Sequence, residues 1–379
     1  MNRVLVTGGS GFLGSHCVLK LLHAGYSVRT TVRSQAKADE VRKILASSGA
    51  PFSGEVEFVQ ADLTSDDGWQ ATMTGCGYVL HVASPFPSAV SKDENEVILP
   101  ARDGTLRVLR AARDSGIKRV VVTSSFAAIG YGGKPKSGAT YTELDWTDPA
   151  LPNPPYIRSK AIAERAAWDF INTEGNGLEL AVVNPVGIFG PVLSADYSTS
   201  IAIVKGMLEG AMHGLPDVYF GVVDVRDVAD LHLKAMVSHQ ANGERFIAVA
   251  GPLMSMAGIA FILRSRLGEA AAKVPTKRFS SWQIRLAALF SHKARQMVPN
   301  LGKRRKSTSA KACRVLEWNP RPNDEVIVST AESLIRLGLV LRVPAHGGHP
   351  SDVMAISIPG PWRSAFRCDG GHFRCLPER

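Results

Sequence analysis

The sequence predicts an α/β fold, a doubly wound parallel sheet with a smaller C-terminal lobe, on three observations. Apolar Val4, Leu5 and Val6 lead into a turn with Gly8, Gly11 and Gly14 three apart, and a helical apolar pattern (Phe12, Leu13, Val18, Leu19, Leu21, Leu22) follows. Strand-like and helix-like patterns then alternate to about residue 185, as in a parallel sheet covered by helices. The chain of 379 residues, 45% hydrophobic, suffices for one large or two ordinary domains.

The opening glycines let the backbone bend sharply and approach a pyrophosphate, whose charge sits on a helix N-terminus. Ordinary turn chemistry is the alternative reading of three glycines. The first helix ends near Gly25, placed as a C-terminal cap. Residues 27–33 read as strand two, 35–46 as a charged helix, 56–63 as strand three and 78–84 as strand four, closed by Pro85 and Pro87. A long helix (94–115), strand five (119–125), a loop rich in Gly, Pro and Thr (130–155), a helix (156–171) and strand six (178–184) complete the regular half. Beyond it, 186–200 read as a loop, 201–208 as a helix, and 220–225 and 245–249 as short strands. The expected division is a dinucleotide-binding core over 1–185 and a substrate lobe with interleaved late core elements over 186–340. That lobe is expected over the C-terminal edge of the sheet, where doubly wound folds bind ligands. Residues 341–379 lack periodicity, apart from a strand-like 353–358, and read as a disordered or atypical extension.

Charge and cysteine usage narrow the function classes. The net charge is +10, yet residues 273–314 hold twelve Lys/Arg and no acid, so the rest of the chain is nearly neutral. The peak, Lys303-Arg304-Arg305-Lys306, lacks the interleaved aromatics of nucleic-acid binders and reads as solvated surface. Nucleic acid and membrane are not expected partners: no run of eighteen apolar residues exists, and no secretory pattern opens the chain. Scattered Cys17, Cys76, Cys313, Cys368 and Cys375 read as free thiols of a cytoplasmic protein. Cys368, His372 and Cys375 fall one ligand short of a structural zinc site, so no metal is expected.

The candidate chemistry centres on Tyr156 and Lys160, four apart and hence on one helical face. A nearby ammonium is expected to lower the phenol's pKa from its usual value near 10, so that it can exchange a proton near neutral pH. In isolation such a pair is an ordinary exposed one. Here it follows the strand ending in Ser124-Ser125, whose hydroxyls face the crevice of a doubly wound sheet. A serine there can hydrogen-bond a substrate carbonyl oxygen and the same tyrosine.

Together these residues resemble an extended short-chain dehydrogenase/reductase of the NAD-dependent epimerase/dehydratase superfamily. The resemblance is to the branch of dihydroflavonol, cinnamoyl-CoA and microbial aldehyde reductases. It is carried by Thr7-Gly8-Gly9-Ser10-Gly11-Phe12-Leu13-Gly14, His81-Val82-Ala83-Ser84-Pro85, Val122-Thr123-Ser124-Ser125, Tyr156 with Lys160, Asn184-Pro185 and Asp224-Val225-Arg226-Asp227-Val228-Ala229. Lys311-Ala312 and Leu316-Glu317-Trp318-Asn319-Pro320-Arg321 resemble the closing helix and turn, so the likeness spans about residues 2–340.

The resemblance implies a Rossmann fold and residue roles. Gly8, Gly11, Phe12, Leu13 and Gly14 would line the pyrophosphate, Asp62 and Leu63 the adenine, and Val82, Ala83 and Ser84 the ribose. Tyr156 and Lys160 would hold the nicotinamide ribose, with Pro185, Val186 and Ile188 against the nicotinamide ring. As catalytic residues, Ser125 would orient the carbonyl, Tyr156 protonate the alkoxide and Lys160 tune the tyrosine. Arg33 stands where an acid would bind a ribose 2′-hydroxyl; a guanidinium suits a 2′-phosphate. NADP(H) is therefore expected over NAD(H), with Lys37 as a helper. Ser84, Phe86, Tyr131, Tyr197 and Phe220 are candidates to line a small-molecule carbonyl pocket. Many members carry an Asn three residues before a Gly-Thr; Ala101 stands there, before Gly104-Thr105, so no relay residue is assigned. A homodimer through the helices after strands four and five is also implied. Alternative readings are a nucleotide-sugar epimerase or dehydratase, a 3-beta-hydroxysteroid dehydrogenase, and a non-enzymatic NADP(H)-sensing regulator.

Overall fold

Seven strands form one parallel sheet: β1 (Arg3–Thr7), β2 (Ser27–Val32), β3 (Val56–Gln60), β4 (Tyr78–His81), β5 (Arg119–Thr123), β6 (Glu179–Pro185) and, after two strands of a second sheet, β9 (Glu244–Ala248). Their spatial order is β3-β2-β1-β4-β5-β6-β9. The computed structural model describes residues 3–47, 54–84, 93–136 and 138–340, without the side chains of residues 292 and 293. Phe86, Pro85, Pro87, Cys368, His372, Cys375 and the extension 341–379 lie outside them.

The strand order follows from the sequence pattern. β1 reads Arg-Val-Leu-Val-Thr, with Val4, Leu5 and Val6 fully buried, because helices cover both faces of a parallel sheet. The chain builds outward from β1 to β3, then returns to lay β4 on the other side of β1. This reversal opens a crevice at the C-terminal ends of β1 and β4, the place where such sheets bind ligands.

The covering helices are α1 (Phe12–His23), α2 (Gln35–Ser47), α3 (Trp69–Met73), α4 (Asn95–Asp114) and α5 (Pro155–Glu174). Gly25 closes α1 at φ +82°, with Tyr26 N–H bonded to the Leu21 carbonyl, the left-handed cap that its position in the sequence predicts. α4 packs along α5, and Gly104 lets α4 approach the segment after β3: a Cβ there would lie 3.0 Å from Leu63 Cβ.

A second sheet holds β7 (Gly187–Phe189), β8 (Tyr219–Asp224) and β10 (Ala250–Ser255) in the order β10-β8-β7. β7 falls inside the segment 186–200 that the pattern predicts as loop. Three residues are too few for a strand pattern to show; their partner β8 makes the strand. Helices α6 (Thr199–Leu208), α7 (Val225–Val237), α8 (Met256–Leu267), α9 (Ser281–Ala287), α10 (His292–Met297), α11 (Ala310–Leu316) and α12 (Asn323–Arg336) complete the described chain.

The Asp224–Ala229 motif serves the fold. Asp224 caps α7 by accepting from Arg226 N–H at 2.8 Å and pairs with the Arg226 guanidinium. Asp227 accepts from Arg321 N–H at 2.7 Å, and its carbonyl takes the Trp318 indole N–H at 2.9 Å. Acidic motif and closing turn are thus one junction. The basic run is not free surface throughout: the Arg304 and Arg305 guanidinium carbons stand 4.5 and 4.1 Å above the rings of Tyr219 and Tyr131. No described helix is long and apolar enough to cross a membrane. Among the described residues no metal-ligand cluster exists; Cys17 and Cys76 are buried free thiols and Cys313 is exposed.

Candidate active site

The glycine turn builds an anion cradle at the sheet crevice. Gly8 adopts φ +72°, and its carbonyl accepts from Gly11 N–H at 3.0 Å. A Cβ on Gly14 would lie 2.0 Å from that carbonyl oxygen, and one on Gly8 would meet Ala83 at 3.0 Å. Gly11 is the N-cap of α1, with no side-chain cap and no acid in the first turn. First-turn N–H groups are thereby left to an outside anion, so the cradle fits a dinucleotide pyrophosphate. Thr31 and Thr7 brace it: Gly8 N–H donates to Thr31 Oγ1, and Ala83 N–H to Thr7 Oγ1, both at 3.0 Å. The Thr7 hydroxyl also pairs with His81 Nδ1 at 2.9 Å. Burial, then the Lys160 charge, push His81 down to about 3, so this ring is neutral.

The residues expected at the adenine and the 2′-phosphate lie at the ends of β2 and β3. Arg33 directly follows β2 and is exposed. Asp62 accepts from the Thr64 hydroxyl and N–H, both at 2.7 Å. Those bonds, with the charges of Arg33 and Arg107, hold its carboxyl below the usual range. Lys37 is engaged elsewhere, on Glu40 at 2.8 Å and Asp196 at 2.9 Å.

The Tyr156–Lys160 pair lies at the start of α5. Pro155 opens the helix, where its fixed φ suits the first turn, and this places both side chains at the crevice. The Lys160 ammonium stands 5.9 Å from the Tyr156 ring centroid and donates to Ser84 Oγ at 2.9 Å. Burial lowers the Lys160 pKa to about 8, against an opposing effect of the Glu164 carboxylate. Ser125 hydrogen-bonds the Tyr156 phenol. The expectation of a depressed tyrosine pKa needs correction: burial raises it above 10, and the Ser125 hydrogen bond offsets this only in part. At neutral pH the protein therefore presents a protonated phenol beside an ammonium.

Glu164, one turn beyond Lys160, is the residue that pattern reading missed. Its fully buried carboxylate gathers Ser124, Asn184 and Arg245. The signal was present as a third polar residue at the Tyr156, Lys160, Glu164 spacing.

Val82, Ala83 and Ser84 are half-buried after β4. Pro185 is buried at the end of β6, while Val186 and Ile188 are half-buried just beyond it. Val186 and Tyr131 pack on the apolar cluster of Phe126, Ile129, Tyr141, Ile247 and Val249. Phe220 stacks on Phe189 with centroids 5.9 Å apart, which makes it partly core. Tyr197 is half-buried in the segment before α6.

Three comparisons place the chain among known proteins. Residues 4–250 match the NAD dependent epimerase/dehydratase family. Cinnamoyl-CoA reductase CAD2 of Medicago truncatula is 37% identical over 64% of this chain and 74% of that protein. Dihydroflavonol 4-reductase of Hordeum vulgare is 33% identical over 70% of this chain and 75% of that protein. The crystal structure of Gre2 in complex with NADPH from Candida albicans is 28% identical, covers 89% of this chain and 99% of its own, and superposes with a TM-score of 0.72. By sequence motif, sheet order and these likenesses, the chain belongs to the NAD dependent epimerase/dehydratase family.

Proposed function

We propose that the protein is an NADPH-dependent reductase that transfers a hydride to the carbonyl of an aldehyde or ketone. The observation that carries this reading is the meeting of Ser125, Tyr156 and Lys160 at the crevice whose other wall is the glycine cradle. The relatives named above are by name a cinnamoyl-CoA reductase and a dihydroflavonol 4-reductase, and the superposed Gre2 is in complex with NADPH.

Bound NADPH supplies the hydride. The cradle of Gly8, Gly11, Phe12, Leu13 and Gly14 would hold the pyrophosphate, Arg33 the 2′-phosphate, and Asp62 and Leu63 the adenine. Val82, Ala83 and Ser84 would hold the ribose, and Pro185, Val186 and Ile188 the nicotinamide. Ser125 orients the carbonyl oxygen. Tyr156 gives its phenolic proton to that oxygen as negative charge develops, and the Lys160 ammonium stabilises the phenolate left behind. We read residues 1–185 as the cofactor domain and 186–340 as mainly the substrate lobe, and expect a cytoplasmic homodimer through α4 and α5.

The test is loss of nicotinamide absorbance with a panel of aldehydes, ketones and sugar nucleotides, with NADPH and NADH in parallel. Turnover of aldehydes or ketones with NADPH supports the reading. Conversion of sugar nucleotides, followed by chromatography of the products and without net loss of nicotinamide absorbance, overturns it in favour of an epimerase or dehydratase, and tight NADPH binding with neither change favours a sensor.

A further inference from the structure

Glu164 lies two helical turns from Tyr156 and one from Lys160, and its carboxylate has no solvent exposure. A buried carboxylate is costly unless donors surround it. Here Oε1 accepts from Arg245 Nε at 2.6 Å and from the Trp168 indole at 3.5 Å. Oε2 accepts from Asn184 Nδ2 at 2.7 Å and from the Ser124 hydroxyl. Apart from Trp168, these donors come from the ends of three adjacent strands: Ser124 follows β5, Asn184 lies on β6 and Arg245 on β9. Asn184 Nδ2 also donates to the Ser125 carbonyl at 3.2 Å. The carboxylate thus grips the residue before Ser125 directly and Ser125 itself through Asn184. Two buried polar atoms of the cluster, Asn184 Oδ1 and Arg245 Nη2, find no hydrogen-bond partner among the described residues. A cluster kept for stability alone would be better served by full pairing or by apolar packing.

We propose that Glu164 is a positioning residue of the reduction: it locks the Ser125 backbone to the helix bearing Tyr156 and Lys160, and sets a fixed negative charge one turn from the Lys160 ammonium. The other groups facing Lys160 are Ser84 and neutral His81 from the β4 side and Tyr156 on its own helix. Facing Glu164 are Ser124, Asn184, Arg245 and Trp168. The Glu164 charge opposes the effect of burial on Lys160. Its removal therefore lets the ammonium lose its proton at lower pH.

The kinetic half of the test rests on the reductase reading. Glu164→Gln is compared with Glu164→Gln/Arg245→Leu, which also removes the guanidinium charge that the single variant leaves on the Glu143 and Asp145 carbonyls without its carboxylate, and with Ser124→Ala. For both Glu164 variants the expected result is a kcat about tenfold lower or more; the basic limb moves to lower pH by about one unit in Glu164→Gln and by less in the double variant, where the Arg245 cation leaves with the carboxylate. Ser124→Ala is expected to lower kcat about threefold or more and leave the limb in place, because the carboxylate remains. The same displacement is expected in the pH dependence of NADPH affinity, read by nicotinamide fluorescence without turnover. A parental protein inert toward all carbonyls would overturn the reductase reading while the binding measurement still decides this one. A folded double variant with parental kcat and parental limb would overturn the proposal, as would a parental pH dependence of NADPH affinity. If neither Glu164 variant folds, parental kcat in Ser124→Ala overturns it.

Discussion

The ammonium of Lys160 donates to the Ser84 hydroxyl across 2.9 Å, tying the helix that carries Tyr156 to the segment after β4. Hydrogen bonding to a charged form favours that form, so Ser84 helps keep Lys160 protonated despite its burial. With the Lys160 pKa at about 8, carbonyl reduction is expected to hold below that pH and fall as pH rises through it. Ser84→Ala should move this fall to lower pH and destabilise the protein by about 1–3 kcal/mol, the cost of a buried donor without its partner. The pH profile of kcat/KM and urea unfolding check the two effects.

Arg33 is exposed at the end of β2, whereas Lys37 is held by Glu40 and Asp196. Arg33→Ser should therefore lower the NADPH-to-NADH ratio of kcat/KM by about 10- to 100-fold, the worth of a charge-assisted phosphate contact. Lys37→Ala should change that ratio much less. Parallel kinetics with the two cofactors decides this.

The cradle glycines should fail in different ways. A Cβ on Gly14 would lie 2.0 Å from the Gly8 carbonyl oxygen, while one on Gly11 would meet that oxygen at only 3.4 Å. Gly14→Ala should cost about 1–3 kcal/mol of stability as well as cofactor affinity. Gly11→Ala should keep the parental unfolding midpoint and lose NADPH affinity alone. Unfolding curves beside fluorescence titrations separate the two.

Three buried histidines set an acid limit. Burial lowers His16 and His232 to about 4 and His81 to about 3. In the unfolded chain each titrates near 6.5, so between pH 6.5 and 4 the unfolded state binds more protons and stability falls as pH drops. Each ring contributes on the order of 3 kcal/mol over that window. His232 Nδ1–H donates to the Val228 carbonyl at 2.8 Å, leaving Nε2 to accept from Thr123 at 2.7 Å. His232→Gln should flatten the fall between pH 6.5 and 5. A parental urea midpoint that stays constant over that range would contradict this burial.

The β1 turn, the strand alternation and the Tyr156–Lys160 spacing were legible because each depends on residues close in sequence. Val4 to Gly14 needs no distant partner to read as strand, turn and helix. β7 was not legible, since three residues become a strand only beside β8. Nor was the direction of the Tyr156 shift. The four-residue spacing announces an ammonium nearby, but the burial of the phenol in the folded crevice is a tertiary effect, and it outweighs the lowering by the Ser125 hydrogen bond. Glu164 stayed hidden for the same reason. On a helix it reads as one more solvated acid until Ser124, Asn184 and Arg245 arrive from three strand ends. The tetrabasic run reads as surface, yet two of its arginines lie over Tyr131 and Tyr219.

The most direct measurement is single-turnover oxidation of NADPH by a responsive aldehyde or ketone, in the parental protein and in Tyr156→Phe, with NADPH affinity measured on both. The proton donor accounts for about 10²- to 10⁴-fold of the rate. The variant should therefore lose at least about a hundredfold in the chemical step while binding NADPH within about threefold of the parent. A Tyr156→Phe protein that reduced the carbonyl at the parental rate would contradict the assignment of the proton to Tyr156.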